Sequence, residues 1–516
     1  MTAEAGTTTR AAAAPMTHKQ ILQALSGLYV GIFVAILSST VVTNALPTIV
    51  ADLHAGQSVY TWVITATLLA TTVSSPVWGK LADLVSKKLL IQTSLIVFTG
   101  GSVLSGLSSG AGLLIAARVI QGIGAGGLLA LIQVIIATMI PPRELGRYSG
   151  YFGAVFAVGT SAGPLIGGLI VDTDWLGWRW CFFVGAPFAV VALIVLQKTL
   201  NLPVVRGSVK IDWAGAALLT AAASLLLIWV TLAGDAYAWL SWPSAVMLGG
   251  TLLLSLVFVA VERRAKAPIL PLWLFRTRTV VLAITAGLAI GVALYAATTY
   301  LSQYFQLAEG RTPTLAGILA LPLILSLALA STIAGRIITA TGRWKPLLVG
   351  GTALIAVGLA LLGFTQRDTP YWQLALAMGL LGLGLGVTLQ NLVLAVQNQV
   401  SPLELGAATS SVSFFRTLGG TIGVSALGAV LAGQVGHLIS EGLAKAGLPV
   451  GAQGASLVRP AELPAPVRAV VEEAYGQATG SIFLYAVPLA LVALVCVLFI
   501  REVPLRTSNA VTARER

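Results

Sequence analysis

Fourteen stretches of this chain are long and apolar enough to cross a bilayer, and no other feature restricts its fold as tightly. They lie at 21–46, 58–78, 88–108, 112–140, 149–171, 180–199, 213–234, 242–262, 279–305, 313–334, 346–364, 371–398, 405–431 and 478–500. About 20 apolar residues span the hydrocarbon core as a helix. Inside that core every backbone N–H and C=O must be paired within the protein, which leaves helices or closed barrels, and runs of this length are helices. The expected fold class is therefore an all-α polytopic membrane protein. Only 9% of the 516 residues are charged and 57% are hydrophobic, against roughly a quarter charged in soluble domains. So few charges cannot cover a water-facing surface, which argues against a soluble enzyme, a disordered chain and a nucleic-acid binder. Residues 1–20 are small and polar and lack the apolar core of a signal peptide, so the first run is expected to stay as the first helix.

The basic residues set an orientation. With the N-terminus inside, 22 of the 30 Lys and Arg fall on the inner side and six on the outer side. The remaining two, Arg118 and Arg416, lie within spans. This positive-inside bias places both termini in the cytoplasm of a cell inner (plasma) membrane. Trp78, Trp175, Trp178, Trp180, Trp242 and Trp372 fall near span ends, as an interfacial belt requires. Cys181 and Cys496 fall at opposite faces, too far apart to pair.

A fixed offset of 256 residues relates the two ends of the chain. It carries Gly79-Lys80 onto Gly335-Arg336, Gly163 onto Gly419 and Gly167 onto Gly423, and it lays spans 1–5 onto spans 9–13. Eight crossings separate equivalent spans, so the halves have parallel topology, as in transporters built from two six-helix bundles around a central cavity. The division read from this is a tail at 1–20 and an N-terminal six-helix bundle at 21–199. Two inserted helices with their linkers follow at 200–278. A C-terminal bundle at 279–500 carries a long outer loop at 432–477, and a tail occupies 501–516.

Several motifs now stand in place. Gly79-Lys-Leu-Ala-Asp83-Leu-Val-Ser86-Lys87-Lys88 resembles the GxLADxxGRK signature of the major facilitator superfamily, with Ser86 where that family has Gly. Arg118-Val-Ile-Gln121-Gly122-Ile-Gly124-Ala125 is similar to its RxxQGxGA motif. Gly159-Thr-Ser-Ala-Gly163-Pro164-Leu-Ile-Gly167-Gly168 resembles the antiporter motif GxxxGPxxGG. Trp178-Arg-Trp-Cys-Phe182 with Pro187 resembles WRWxFxxNxP, with Gly185 at the Asn position, and Asp212-Trp213-Ala-Gly215 also fits. The resemblance covers essentially the whole chain and points to the fourteen-span drug:proton antiporter branch. It implies the major facilitator fold, two six-helix bundles plus two extra helices. It also implies export of lipophilic drugs or other small amphiphiles by alternating access, driven by the proton gradient. An exporter of an endogenous lipid or secondary metabolite with weak or no proton coupling is the alternative. The implied partners are a small-molecule substrate, protons and the lipid bilayer.

The residues that carry these roles have their own physics. Glycines at 159, 163 and 167 recur every four residues, and Pro164 allows a kink, so the stripe suits close helix approach. It is expected to be the sliding contact between the halves, with Gly419, Gly420 and Gly423 as counterpart. Resemblance makes Asp83 a latch between halves. Arg118 and Arg416 cost about 2.5–3.5 kcal/mol each at mid-bilayer, so each is expected to face a cavity with a partner. Arg118 shares a face with Gln121. In span 1 the branch's LDxTIVNVALP is matched with Ser38 at the aspartate position and Asn44 displaced by one. All 18 acids and all three histidines fall outside the spans, so the chain lacks the buried Asp, Glu or His of a usual proton relay. Two readings follow: coupling through carboxylates at the mouths, Asp52 near Arg118 and Asp83, or weak coupling. Candidate pathway residues are Thr40, Thr43, Asn44, Arg118, Gln121, Tyr295, Thr299, Gln390 and Asn391, a neutral to positive set suited to lipophilic neutral or anionic compounds. There is no HExxH, no Walker motif and no in-span acid or His, so neither enzyme activity, a metal nor a cofactor is expected.

Overall fold

The computed structural model describes residues 18–53, 57–171, 173, 175–200, 212–233, 237–265, 268–401, 404–447 and 464–506. The helices in chain order are α1 His18–Asp52, α2 Gln57–Leu84, α3 Lys87–Gly106, α4 Ala111–Met139, α5 Pro142–Val171, α6 Trp180–Phe183, α7 Ala186–Thr199, α8 Trp213–Leu232 and α9 Trp242–Glu262. They continue as α10 Arg278–Gln303, α11 Pro313–Leu319, α12 Leu321–Thr341, α13 Lys345–Leu362, α14 Tyr371–Gln397, α15 Leu405–Lys445 and α16 Ala465–Phe499. Among the described residues there is no β-strand. Thirteen helices among the described residues are apolar and long enough to cross a membrane. The fourteenth expected span is α2. It has 28 residues, about 42 Å of helix, but Thr and Ser dilute its apolar character. Those hydroxyls are satisfied locally: Thr67 donates to the Val63 carbonyl, Thr71 to Thr67 and Thr72 to Leu68, so the helix can still cross. Span 6 is split as α6 and α7, and span 10 as α11 and α12, where Pro322 follows the break.

Two six-helix bundles result, with α8 and α9 between them in sequence. In the first bundle α1 packs on α5 and α7, and α4 is wedged between α2 and α3. In the second, α10 packs on α15 and α16, and α14 is wedged between α12 and α13. The glycines of the Arg118 motif explain the wedge. A methyl group on Gly122 would lie 2.5 Å from the Thr67 carbonyl oxygen of α2, and one on Gly124 would strike the Phe98 backbone of α3. Only glycines let α4 sit so close to both neighbours. The bundles meet through α5 against α12 and α2 against α15, and α8 lies across α2 and α15. The outer faces of α8 and α9 stay open: Leu252, Leu253 and Leu256 are exposed, as lipid-facing side chains are.

Three expectations change. The expected loop 432–477 is mostly helix, because α15 runs to Lys445 and α16 starts at Ala465. Leu431, Val435, Ile439 and Leu443 repeat every four residues, and they are buried together with Val471, Ala474 and Ala478. Arg367 Nη2 pairs with Glu472 Oε2 at 2.6 Å and ties this extension to the turn before α14. Trp78 and Trp178 are buried rather than interfacial. Trp78 donates to the Ile123 carbonyl and Trp178 to Asp52. Last, the glycine stripe of α5 does not lie between the halves: Gly159 faces Ile36 and Gly163 faces Thr40, both on α1 of the same bundle. Gly419, Gly420 and Gly423 likewise face α10. The α5 contacts with the other half come from a different face, Gly153 on Ala328 and Gly168 on Thr314. Gly163→Leu is therefore expected to wedge α1 from α5 and lower the stability by about 1–3 kcal/mol through overpacking. Thermal unfolding in detergent checks this, and an unchanged melting curve would reject it. Cys181 and Cys496 are both buried and free.

Candidate functional site

The space between the bundles is lined from both halves. Tyr29 of α1, Gln133 and Ile136 of α4, and Tyr148 and Phe152 of α5 face Gln390, Asn391, Val393, Leu394 and Gln397 of α14. Rings, carboxamides and aliphatic groups make up this lining, and no carboxylate belongs to it. The Tyr29 hydroxyl donates to the Tyr148 carbonyl at 3.0 Å, and His18 Nδ1 lies 2.7 Å from the Tyr148 hydroxyl. Ser413 Oγ donates to Gln133 Oε1 at 3.3 Å across the halves. Such a pocket offers stacking faces and adaptable hydrogen bonds but no fixed negative charge.

The expected pathway residues divide. Gln390 and Asn391 line the pocket, and Asn391 Nδ2 donates to the Val387 carbonyl at 2.6 Å. Thr40 does not. Its hydroxyl lies 3.3 Å from the Gly159 carbonyl, within donor reach, and fastens α1 to α5. Thr43 is exposed and donates to the Ser39 carbonyl. Arg118, 4% exposed, sends Nη1 to Gln121 Oε1 at 2.6 Å and Nε to the Val63 carbonyl at 3.4 Å. It thus ties α4 to α2, and Gln121 is its partner. Tyr295 sits against Gly420 and beside Arg416, and Thr299 is half-buried on the same helix. The side chains of Asn44 and Pro164 lie outside the described residues. Gly167 is buried within α5. Sequence reasoning missed Tyr29, Gln133, Tyr148 and Phe152, because a polar or aromatic side chain on a spanning helix carries no mark of which neighbour it meets.

Asp52 makes no ion pair with Arg118, which bonds Gln121 and the Val63 carbonyl instead. Its Oδ2 accepts the Trp178 indole N–H at 2.7 Å and stands 4.0 Å from Arg179 Nη1. Asp83 reaches the other half. Beyond the apolar stretch of α2, its Oδ1 accepts the Gly406 N–H at 3.0 Å and its Oδ2 the Ala407 N–H at 3.1 Å. The carboxylate thereby caps the first turn of α15, where free N–H groups and the helix dipole favour an anion. Gly79 and Gly406 make this approach possible, since a side chain at 79 would strike Ser410 and one at 406 would strike Asp83. Burial pushes the Asp83 carboxyl up to about 6, and Lys80, the two backbone N–H donors and Lys87 oppose that rise.

Two bundles joined across a polar cleft, with a carboxylate of one capping a helix of the other, define a polytopic membrane transporter. The chain belongs to the major facilitator superfamily, whose family model matches residues 28–424. It is 33% identical over 419 residues to the multidrug transporter protein MdtP of Bacillus subtilis, covering 81% of this chain and 77% of that one. It is 31% identical to the efflux pump dotC of Dothistroma septosporum, covering 95% and 85%. It is 36% identical to an uncharacterized MFS-type transporter of Mycobacterium tuberculosis, covering 93% and 69%. The fold is similar to that of the proton:xylose symporter XylE, with a TM-score of 0.63 at 12% identity over 94% of this chain and 96% of that one.

Proposed function

We propose that this transporter exports lipophilic or amphiphilic small molecules by alternating access, driven by the proton gradient. The carrying observation is the pocket between the halves, aromatic and amide-lined and free of carboxylates. Relatives named as a multidrug transporter and as an efflux pump support the direction of transport. Without a fixed negative charge the pocket gives dications no counter-ion, so neutral and anionic amphiphiles are handled at least as well. Efflux from cells loaded with neutral, anionic and dicationic dyes tests this; a strong preference for the dications contradicts it. In this reading the Lys- and Arg-rich face and both termini are cytoplasmic, and the bundles 21–199 and 279–500 rock about the pocket.

Coupling is assigned to the mouths. Asp52 is held by Trp178 and Arg179, so Asp83 at the cytoplasmic mouth is the stronger candidate. Proton release on adding substrate to detergent-solubilised protein, compared with Asp83→Asn, tests this, and release that is unchanged in the variant removes Asp83 from the coupling. A second reading, export of an endogenous secondary metabolite, is favoured by the 30% identity to the MFS-type transporter of the acurin A biosynthesis cluster of Aspergillus aculeatus. Comparing molecules exported by cells with and without the protein separates the two.

A further inference from the structure

Two acids expected on the cytoplasmic loops meet in a buried place outside the transport pocket. Asp212 precedes α8, and its Oδ1 accepts the Gly215 N–H at 2.9 Å as an N-cap. Glu262 ends α9 and is only 3% exposed. Its Oε1 accepts the Leu270 N–H at 2.6 Å from the segment that leads into the second bundle. One oxygen of each carboxyl is thus satisfied by the backbone. The other two, Asp212 Oδ2 and Glu262 Oε2, are buried and have no donor. They point at the same spot: a methyl group on Gly215 would lie 2.6 Å from each, so the oxygens are no more than about 5 Å apart. The side chains are within hydrogen-bonding reach of each other.

Two ionised carboxylates in this position would repel, each with a bare buried oxygen, whereas a single proton between them supplies the missing donor and removes one charge. Among the described residues no basic side chain does that work. The groups acting on Glu262 are the Leu270 N–H, Asp212 and the Ile269 N–H. Arg263, Arg264 and Arg276 are exposed, and Arg206, Lys210 and Lys266 lie outside the described residues. We propose that Asp212 and Glu262 form a proton-binding site that holds one shared proton and clasps the start of α8, the end of α9 and residues 268–271 together. The clasp bears on the contact between the halves. Ile269 and Leu270 are buried in one cluster with Val73 of α2 and with Phe414 and Leu418 of α15. Loss of the proton as pH rises leaves two facing carboxylates, whose repulsion parts the start of α8 from the end of α9 and loosens that cluster. This site is separate from Asp83 and does not depend on what the transporter carries.

Hydrogen–deuterium exchange of the full chain in lipid nanodiscs tests the site without substrate. If opening of the linker requires loss of one proton, the protection factor of segment 268–275 falls by up to about tenfold per pH unit from about pH 4, the ordinary carboxylate value, up to the titration point of the closed pair, and levels off above it. Glu262→Gln keeps the size, supplies a permanent N–H donor and is expected to make protection independent of pH. Infrared spectra at neutral pH are expected to show a protonated carboxyl band that both Glu262→Gln and Asp212→Asn remove, because one proton is shared. Equal pH dependence in wild type and Glu262→Gln would overturn the proposal. So would pH-independent protection in the wild type that rises instead with added Mg2+, which marks a metal site. A band that survives in either variant also overturns it.

Discussion

Asp83→Ala is expected to shift the transporter toward the state open at the Asp83 mouth by about ten- to a hundredfold. The wild-type carboxylate accepts the Gly406 and Ala407 N–H groups at the start of α15. Hydrogen bonds to a charged group contribute about 1.5–3 kcal/mol, and the N-terminal end of the helix dipole adds about 0.3–1 kcal/mol. When the mouth opens, water takes over both donors, so the closed state loses both bonds, and relief of the carboxylate's burial there offsets part of the loss. Distances between spin labels at the end of α2 and the start of α15 read the effect directly; unchanged populations in Asp83→Ala would remove the latch. The same residue makes the equilibrium depend on pH. Its carboxyl sits at about 6 when the mouth is closed, against an ordinary 3.8. The closed state therefore binds the proton more tightly, and acid favours closure. That gain is complete below about 4 and is lost as pH rises through about 6. The full shift gives a change of about tenfold between pH 7 and pH 5, partial exposure screens it to less than that, and Asp83→Asn is expected to abolish it.

Much of the fold was legible because the bilayer imposes it. Every crossing must hide its backbone in a helix of about 20 residues, so apolar run length and the 256-residue register were enough to read two bundles and an inserted pair. The limits of that signal show at α2, where Thr and Ser hydroxyls bonded to their own helix dilute apolarity without preventing a crossing. They show again beyond residue 431, where the helix continues on a stripe of Leu431, Val435, Ile439 and Leu443 that no longer needs lipid. The site was less legible. The glycine stripe of α5 announced close packing but not the packing partner, and that partner is α1 rather than the opposite bundle. Arg118 and Gln121 were readable as a pair because they share one helix face. Asp212 and Glu262 were not, since 50 residues separate them and each looks like an ordinary loop acid in isolation.

Ser38 and Gly185 extend this point to a second expected result. Both positions depart from the motifs that the chain otherwise resembles, where an aspartate and an asparagine stand. The structure brings them together: Ser38 is 0% exposed, its hydroxyl has no hydrogen-bond partner, and a side chain on Gly185 would collide with it. A carboxylate at 38 would need a donor, and an amide at 185 stands where it could be one, so the acid and its donor are absent as a unit. Ser38→Asp alone is expected to fold poorly, because an unpaired charge within a spanning helix costs about 2.5–3.5 kcal/mol. Gly185→Asn alone is expected to cost about 1–3 kcal/mol by overpacking. Together they restore a charge-assisted hydrogen bond, so the double variant should be less destabilised than the sum of the two by at least about 1 kcal/mol. Thermal unfolding of the three variants in detergent measures that coupling, and additive losses would show that the two positions act separately. With the acid in place, α1 gains a buried titratable group against residue 185 that the wild type lacks. Export by the double variant is then expected to depend more steeply on the proton gradient.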